Sequence, residues 1–269
     1  MIIDAHVHTF PDKIAEKALH RLEVISGLTR TTNGTVADTM KYMKNMNIDK
    51  FINLNIATSP GQQHTINTVA AENNKIYPDM ISLGSVHPDA PDAIKELYRI
   101  KSLSIKGIKL HPDYQDFFID EQRLYPIYEV CSELELPIVF HAGWDCYSPN
   151  VIHAVPSASA KVAADFPKLK IVLAHFGGIN LWDEVEAQLA GLENVYFDTA
   201  MAATYMRDPK IAMKILDKHP IENIFLGSDC PWESPDRSVS FIDTLPISDD
   251  RKEKILGQNV AAFYALYKE

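Results

Sequence analysis

The hydrophobic positions of this chain fall into short runs rich in Val, Ile and Leu, and most runs end in a polar residue or a turn signal. Runs of this kind are typical of strands that are buried on both faces. The segments between them are long enough for a helix. Eight such runs follow one another along the chain: IIDAHVH from Ile2, IDKFINLNIAT from Ile48, MISLGSVHP from Met80, SIKGIKLHP from Ser104, PIVFHAG from Pro137, KIVLAHFGG from Lys170, NVYFDTA from Asn194 and NIFLGSDCPW from Asn223.

Helical patterns occupy the segments between these runs. The segment TVADTMKYMKNMN carries apolar residues at helical spacing: Val36, Met40, Met43 and Met46. We interpret this methionine stripe as core packing and not as a cofactor site. The last segment, SDDRKEKILGQNVAAFYALY, opens with Ser248 and two acidic residues, which suit a helix N-terminus. Four further amphipathic helices are predicted: LYPIYEVCSELE, SASAKVAADF, LWDEVEAQLA and PKIAMKILDK.

The alternation of strands and helices predicts the fold class. Eight mostly apolar strands, each followed by a helix, favour an α/β protein with a (β/α)₈ TIM barrel. No low-complexity tract or Gly/Ser-rich linker divides the chain, so we expect one domain over residues 1–269. A doubly wound open sheet is the alternative, but no G-x-G-x-x-G pattern follows the first strand.

Composition and charge narrow the range of partners. The 26 basic and 36 acidic residues give a formal net charge of −10, which argues against nucleic acid or an anionic membrane as the main partner. No apolar run is long enough to span a bilayer, and the N-terminus enters a strand directly, so we expect no signal peptide. The three scattered cysteines resemble reduced thiols. We therefore expect a cytoplasmic protein that acts on a small molecule.

Polar side chains collect where the predicted strands end. His6 and His8 are two residues apart on a strand and so point to the same face. An isolated His-x-His is weak evidence for a metal site, but in a barrel the C-terminal ends of all strands meet at one face. Further candidates end later strands: Lys109 and His111, His141, His175 and Asp229. Neutral imidazole and carboxylate are suitable ligands for Zn²⁺, so we expect one divalent metal ion, most simply Zn²⁺ with Mn²⁺ as the alternative.

These residues carry a family resemblance. The His-x-His of the first strand, the histidines after strands five and six, and the aspartate after strand eight resemble the amidohydrolase superfamily. The segments GIKLHP, AHFGG, LGSDCPW and ILGQNVAAFYAL resemble its amidohydrolase 2 branch, and the resemblance runs from Met1 nearly to Glu269. It implies a metal-dependent enzyme, in a branch that includes zinc-dependent decarboxylases, lactonases and hydratases.

The resemblance also implies roles for individual residues. It assigns His6, His8, His141 and Asp229 to the metal. It makes His175 an acid/base or substrate-polarising group, and Asp229 also the base that takes a proton from water. In binuclear members a carboxylated lysine after strand four bridges two metals. The amidohydrolase 2 branch is typically mononuclear, so we expect Lys109 to contact the substrate instead and do not expect a second metal.

Substrate contacts are the least specific part of this interpretation. We expect Lys109, His111, Trp144 and Arg207 to bind the substrate, although Arg207 is equally consistent with a solvated residue at a helix start. Weaker candidates are Asp145 and Tyr147 in the loop after His141, and His87 and Asp198, which either orient a ligand or cap a turn. Asp4 is expected to be a structural partner below the metal.

The resulting functional hypothesis is a hydrolase in which a metal-activated water attacks a carbonyl, ester, lactone or amide carbon. The alternative is a non-oxidative decarboxylase on the same site, which requires a cationic pocket for a carboxylate. A metal-binding barrel without catalysis is a third and weaker hypothesis, because the ligand set is complete. By analogy with barrels of this family, we expect a homodimer.

Overall fold

The computed structural model describes residues 1–267 and confirms the eight-stranded barrel; the last two positions of the expected domain lie outside these residues. All the neighbouring strands pair in parallel. The strands are β1 Ile3–Val7, β2 Lys50–Leu54, β3 Met80–Leu83, β4 Ile108–Leu110, β5 Ile138–Phe140, β6 Ile171–Leu173, β7 Val195–Asp198 and β8 Ile224–Phe225.

Two short contacts close the strands into a ring. The regular pairing gives a three-stranded sheet, β1 to β3, and a five-stranded sheet, β4 to β8. A bridge between Gly84 and Ile108 joins β3 to β4. A bridge between Val7 and Cys230 joins β1 to the segment after β8, and the Ala5 amide donates to the Leu226 carbonyl at 2.7 Å. The chain is therefore a single (β/α)₈ barrel and not an open sheet.

Helices follow the strands as the sequence pattern predicts. The Ser248 side chain accepts a hydrogen bond from the Arg251 amide and so caps α12. No helix within residues 1–267 is long and apolar enough to cross a membrane. The helices are α1 Asp12–Ser26, α2 Val36–Asn45, α3 Gln63–Ile76, α4 Ala93–Ser102, α5 Pro112–Gln115, α6 Tyr125–Glu133, α7 Pro156–Asp165, α8 Trp182–Gln188, α9 Ala202–Tyr205, α10 Pro209–Lys218, α11 Pro235–Thr244, α12 Asp249–Glu253 and α13 Asn259–Phe263.

Within residues 1–267 the apolar core consists of three clusters, and the C-terminal ends of the strands carry polar groups instead. A large cluster fills the space between the strands and the helices around them. A second cluster fills the barrel itself and includes Ala5, Ile81 and Val172, together with Val260 of α13. The methionine stripe of α2 is confirmed as core packing, since Met43 is buried in a third cluster and the rest of the stripe packs against it.

Candidate active site at the mouth of the barrel

The predicted site residues, with one exception, line a single cavity of about 980 Å³ at the C-terminal ends of the strands. Those that line it are His6, His8, Lys109, His111, His141, Trp144, His175 and Asp229. Arg207 is exposed in the connection between α9 and α10 and does not line the cavity. Its loop carries Arg207 to the surface, so the expected substrate contact of this residue has no support in the cavity and stays a prediction.

The two histidines of the first strand present their Nε2 atoms to the same point. His8 Nδ1 lies 2.9 Å from the Leu54 carbonyl oxygen, which can only accept, so Nδ1 carries the hydrogen. His6 Nδ1 lies 2.8 Å from the Asp198 carboxylate, which fixes the same tautomer. The two Nε2 atoms, both with lone pairs, are 3.1 Å apart.

Asp229 completes this group from the loop after β8. Its Oδ1 lies 3.1 Å from His8 Nε2 and 3.5 Å from His6 Nε2. Burial alone would raise the pKa of Asp229, but nearby His6, His8 and Lys109 lower the pKa below its ordinary value. The backbone of Asp229 is left-handed, with φ 70°, and its amide donates to the His6 carbonyl at 2.8 Å. The loop is thus tied directly to β1.

His175 reaches the same point from β6. Its Nδ1 lies 3.1 Å from the Ala200 carbonyl oxygen, so the hydrogen is on Nδ1 and the Nε2 lone pair faces the cavity. The His175 amide donates to the Asp198 carboxylate at 2.9 Å. Asp198, at the end of β7, therefore holds His6 through one oxygen and the backbone of His175 through the other. The Asp198 oxygen that accepts from His175 also accepts from the Ala200 amide at 3.1 Å, so this side chain both orients His6 and caps a turn.

The donor set fits a divalent cation. His6, His175 and Asp229 each offer a ligand atom, and these atoms all lie within 4.8 Å of one another, with His8 in contact with two of the three side chains. Lone pairs that face one another at about 3 Å repel unless a proton or a cation lies between them. Imidazole nitrogens and a carboxylate oxygen are the ligand types that Zn²⁺ and Mn²⁺ accept.

A second group of three adjoins the first. The ligand atoms of His111, His141 and Asp145 also lie within 4.8 Å of one another. His141 links the groups, since its Nδ1 is 3.0 Å from His175 Nε2 and its Nε2 is 3.4 Å from Asp145 Oδ2. Burial raises the pKa of Asp145 to about 6. In this geometry His175, and not His141, belongs to the group of His6 and Asp229, so the choice between the two as metal ligand stays a prediction.

Lys109 is a buried cation in the wall of the cavity. Its side chain is fully buried, and Nζ has no hydrogen-bond partner among the described residues. Burial lowers the pKa of Lys109 to about 8, while Asp198, Asp229 and Asp145 act in the opposite direction. The amine therefore remains largely charged at neutral pH and is available to an anionic ligand.

Asp4 lies beneath the site, as expected. One carboxylate oxygen accepts from the amides of His6 at 3.0 Å and Ser228 at 2.9 Å, and the other accepts from the Ser228 hydroxyl at 2.5 Å. These bonds join the strand that carries His6 to the loop that carries Asp229. Burial raises the pKa of Asp4 to about 7.

Two buried polar residues near the site were missed in the sequence. The Gln115 side chain accepts from the His111 amide at 2.9 Å and donates to the carbonyls of Ala57 and Val86, at 2.8 and 2.9 Å. Asp113 lies 2.9 Å from His153 Nδ1 and fixes the loop after β5. The spacing of His111, Asp113 and Gln115 after a strand was the available signal. His87, by contrast, accepts from the Asp89 amide at 3.1 Å and caps a turn outside the cavity.

Comparison with known proteins gives a family match over nearly the whole chain. The model of the amidohydrolase 2 family, described as amidohydrolase, matches residues 3–266. A curated relative, 2-keto-4-carboxy-3-hexenedioate hydratase from Sphingobium sp. (strain NBRC 103272 / SYK-6), is 23% identical over an alignment that covers 72% of this chain and 68% of the relative.

Solved structures share the fold at low sequence identity. The 5-carboxyvanillate decarboxylase from Sphingomonas paucimobilis superimposes with a TM-score of 0.73 at 16% identity, covering 99% of each chain. A dihydroxybenzoic acid decarboxylase from Polaromonas sp. JS666, solved with bound manganese and the inhibitor 2-nitroresorcinol, gives 0.72 at 15% identity, covering 100% of this chain and 98% of that one. At these identities the likeness establishes the barrel fold alone.

Proposed function

The chain belongs to the amidohydrolase 2 family, and from this premise we propose that it is a metal-dependent lyase that removes CO₂ from a small carboxylic acid. This was the alternative in the sequence interpretation, and hydrolysis was the preferred hypothesis. The similar proteins named above are decarboxylases and a hydratase, which supports the alternative. A non-catalytic barrel is not supported, because the expected His and Asp ligand set is complete.

The observation that carries the proposal is the buried amine of Lys109. A buried charged group that makes no hydrogen bond is costly unless a ligand supplies one. A carboxylate bound at Nζ would do so through a charge-assisted hydrogen bond. A lactone or amide has no such charge to offer, so this amine favours a carboxylic acid as substrate.

The metal in this proposal is held by His6, His8, His141 and Asp229, with His175 beside it, as the family resemblance implies. When bound, a divalent ion would supply positive charge that stabilises electron density developing on a substrate oxygen. The manganese in the Polaromonas decarboxylase supports Mn²⁺ as an alternative to Zn²⁺.

Three side chains of the site differ in protonation state and so in the role each can take in the reaction. When the bond between the carboxylate carbon and its neighbour breaks, CO₂ leaves and the electron pair stays on the neighbouring carbon, which then takes a proton. Asp145 is suited to donate that proton, because burial raises its pKa to about 6. Asp229, whose pKa is lowered by the nearby His6, His8 and Lys109, stays ionised, so its carboxylate remains available to a cation. His175 is held neutral because burial lowers its pKa well below the ordinary value.

Hydration is the second candidate, favoured by the curated relative, which is a hydratase. The same Lys109 anchor would hold the carboxylate of an unsaturated acid while water adds across its double bond. A hydratase and a decarboxylase therefore need the same anchor and differ in which bond of the substrate changes.

A substrate panel tests the proposal. Metal-loaded protein is incubated with aromatic carboxylic acids, unsaturated carboxylic acids, lactones and amides, and the products are identified by NMR together with CO₂ release. We expect CO₂ from at least one acid, abolished in Asp229→Asn and retained in Asp243→Asn, which changes an exposed residue of α11. Hydrolysis of a lactone or amide that depends on Asp229, with neither CO₂ release nor hydration, would contradict the lyase.

A further inference from the structure

The cavity does not end at the polar site but continues outward between α1 and α3. Beyond the histidines apolar side chains make up much of its wall, with polar residues such as Arg21 and Asn73 among them. From α1 and the residues before it the lining includes Phe10, Ile14, Ala18 and Leu22, and from β2 and α3 it includes Leu54, Ile56, Ile66 and Val69. The polar site and this apolar groove are therefore two ends of one cavity.

On α1 the residues that line the groove recur at the spacing of one helix face. Ile14, Ala18 and Leu22 are four residues apart and so form a stripe along the helix. The buried residues of α1, Ala15 and Leu19, lie on the adjacent stripe. Helix α1 thus packs into the protein through the stripe of Ala15 and Leu19, and the stripe of Ile14, Ala18 and Leu22 faces the cavity.

Helix α3 buries polar side chains as well as apolar ones. Its buried face carries Gln63 and Asn67 beside Ala70 and Ala71, and Asn67 Nδ2 donates to the Ser85 carbonyl at 2.9 Å and to Glu96 at 2.8 Å. Its cavity face carries Ile66 and Val69, and Val69 is 40% exposed. Apolar side chains on a solvent-accessible face indicate a surface that binds a ligand or a partner, all the more when the same helix buries polar groups.

These apolar side chains do not belong to the packed interior. Within the described part of the chain, the three core clusters include neither Ile14 nor Leu22 of α1, and neither Ile66 nor Val69 of α3. Ile14 is 51% exposed. The fold therefore gains little from them in the free protein, and their apolar area remains available for burial on binding.

We infer that the groove binds an apolar extension of the substrate, and hence that the substrate is an amphiphilic carboxylic acid with an alkyl or aryl chain. The inference rests on the proposed function for the polar end, where Lys109 holds the carboxylate. The continuity of the groove with the reacting end favours a substrate over a protein partner. A volume of about 980 Å³ also lies at the upper end of ligand pockets and exceeds the needs of a single-ring acid.

Binding of a homologous series tests the inference without any need for turnover. Benzoate and 4-alkylbenzoates, from methyl to octyl, are titrated into metal-loaded protein by calorimetry. We expect the dissociation constant to fall by about fourfold for each methylene that enters the groove. An affinity that does not increase with chain length would overturn the inference.

Matched variants locate the effect. Ile14→Asp and Val69→Asp place a charge in the groove and are expected to weaken octylbenzoate binding by about tenfold or more, with benzoate unchanged. Val24→Asp and Ile76→Asp are the controls, because these residues are exposed on the same two helices but do not line the cavity. Equal loss in all four variants would contradict the assignment.

Other outcomes distinguish a failure of the groove inference from a failure of the proposed function. If light scattering shows a dimer that Val69→Asp dissociates, the groove is an interface between copies and the inference fails. Chain-length-dependent binding without lyase activity would contradict the proposed function alone. CO₂ release from single-ring acids without any chain-length dependence would contradict the groove alone.

Discussion

At the scale of single residues, the chemistry of the site depends on which nitrogen of each imidazole is left free. The Leu54 carbonyl, the Asp198 carboxylate and the Ala200 carbonyl each hold one Nδ1–H, of His8, His6 and His175 respectively. Each of these contacts therefore turns an Nε2 lone pair toward the cavity. None of the three acceptors is near its histidine in the sequence, so the tautomers follow from the fold and not from local pattern.

Lys109→Met tests the carboxylate anchor. Loss of one charge-assisted hydrogen bond is expected to lower kcat/KM for the carboxylic acid substrate by roughly 10- to 100-fold. Because Lys109 also lowers the pKa of buried Asp229 and Asp145, its loss leaves these carboxylates less compensated, and the unfolding temperature should fall modestly. Steady-state kinetics and calorimetric unfolding measure both effects.

Lys106→Met is the control for that substitution. Lys106 is exposed before β4, at the other end of the strand, and donates to the Tyr264 carbonyl at 2.6 Å. Its loss should leave kcat/KM unchanged. An unaltered kcat/KM in Lys109→Met would show that the substrate carboxylate is bound elsewhere.

The sequence predicted which residues line the site, but not their backbone conformation or the course of the loops. Strand-end position brought His6, His111 and Asp229 to one cavity, because all parallel strands of a barrel end at one face. Arg207 lies outside the cavity because a loop residue has no such constraint and the α9–α10 connection runs over the surface. The left-handed backbone of His175, with φ 62°, had no local signal that the pattern of polar and apolar residues could reveal.

At the scale of elements, the strands were predictable because each is a buried apolar run. The helices around the site were harder. Helix α3 buries Gln63 and Asn67 beside two alanines, so its larger apolar residues do not mark the face that packs on the barrel. The last helical segment begins at Asp249, after Ser248, and a π-helical segment, Lys254–Gln258, separates α12 from α13. Gly257 lies there against the Met1 backbone, where a Cβ atom would be 2.4 Å from the carbonyl oxygen, a contact that the sequence pattern does not encode.

A buried histidine at the end of α10 makes one prediction about pH. His219 stacks on Phe197 of β7, and its Nδ1 accepts from the Gly191 amide at 3.1 Å. Burial lowers its pKa from 6.5 to about 4. As pH falls below 6.5 the unfolded state takes up the proton first, so stability present above that pH is lost progressively down to about pH 4, by on the order of 3 kcal/mol.

His219→Gln, which keeps an acceptor but cannot titrate, should remove this part of the acid sensitivity. Urea unfolding of both proteins between pH 7 and pH 4 measures the difference, and the exposed His20→Gln serves as control. If the free energy of unfolding of His219→Gln falls with pH as steeply as that of the wild type, His219 is not the group responsible.

At the scale of the whole molecule, the barrel explains how distant parts of the chain form one site. Side chains from residue 6 to residue 229 meet only because β1 and the segment after β8 pair to close the ring. The fold class was predictable from the alternation of strands and helices alone. The reaction was not predictable, because the same fold supports both hydrolysis and decarboxylation. The expected homodimer and the cytoplasmic location stay predictions.

The central claim is that one divalent metal at the barrel mouth is required for a lyase reaction. The most direct test strips the protein with a chelator, adds Mn²⁺ or Zn²⁺ stepwise, and records bound metal and CO₂ release in the same samples. We predict that CO₂ release rises in proportion to bound metal and reaches its maximum at about one equivalent per chain, and that the His6→Ala/His8→Ala double variant shows neither. Full CO₂ release from metal-free protein, or wild-type metal content in the double variant, would contradict the account.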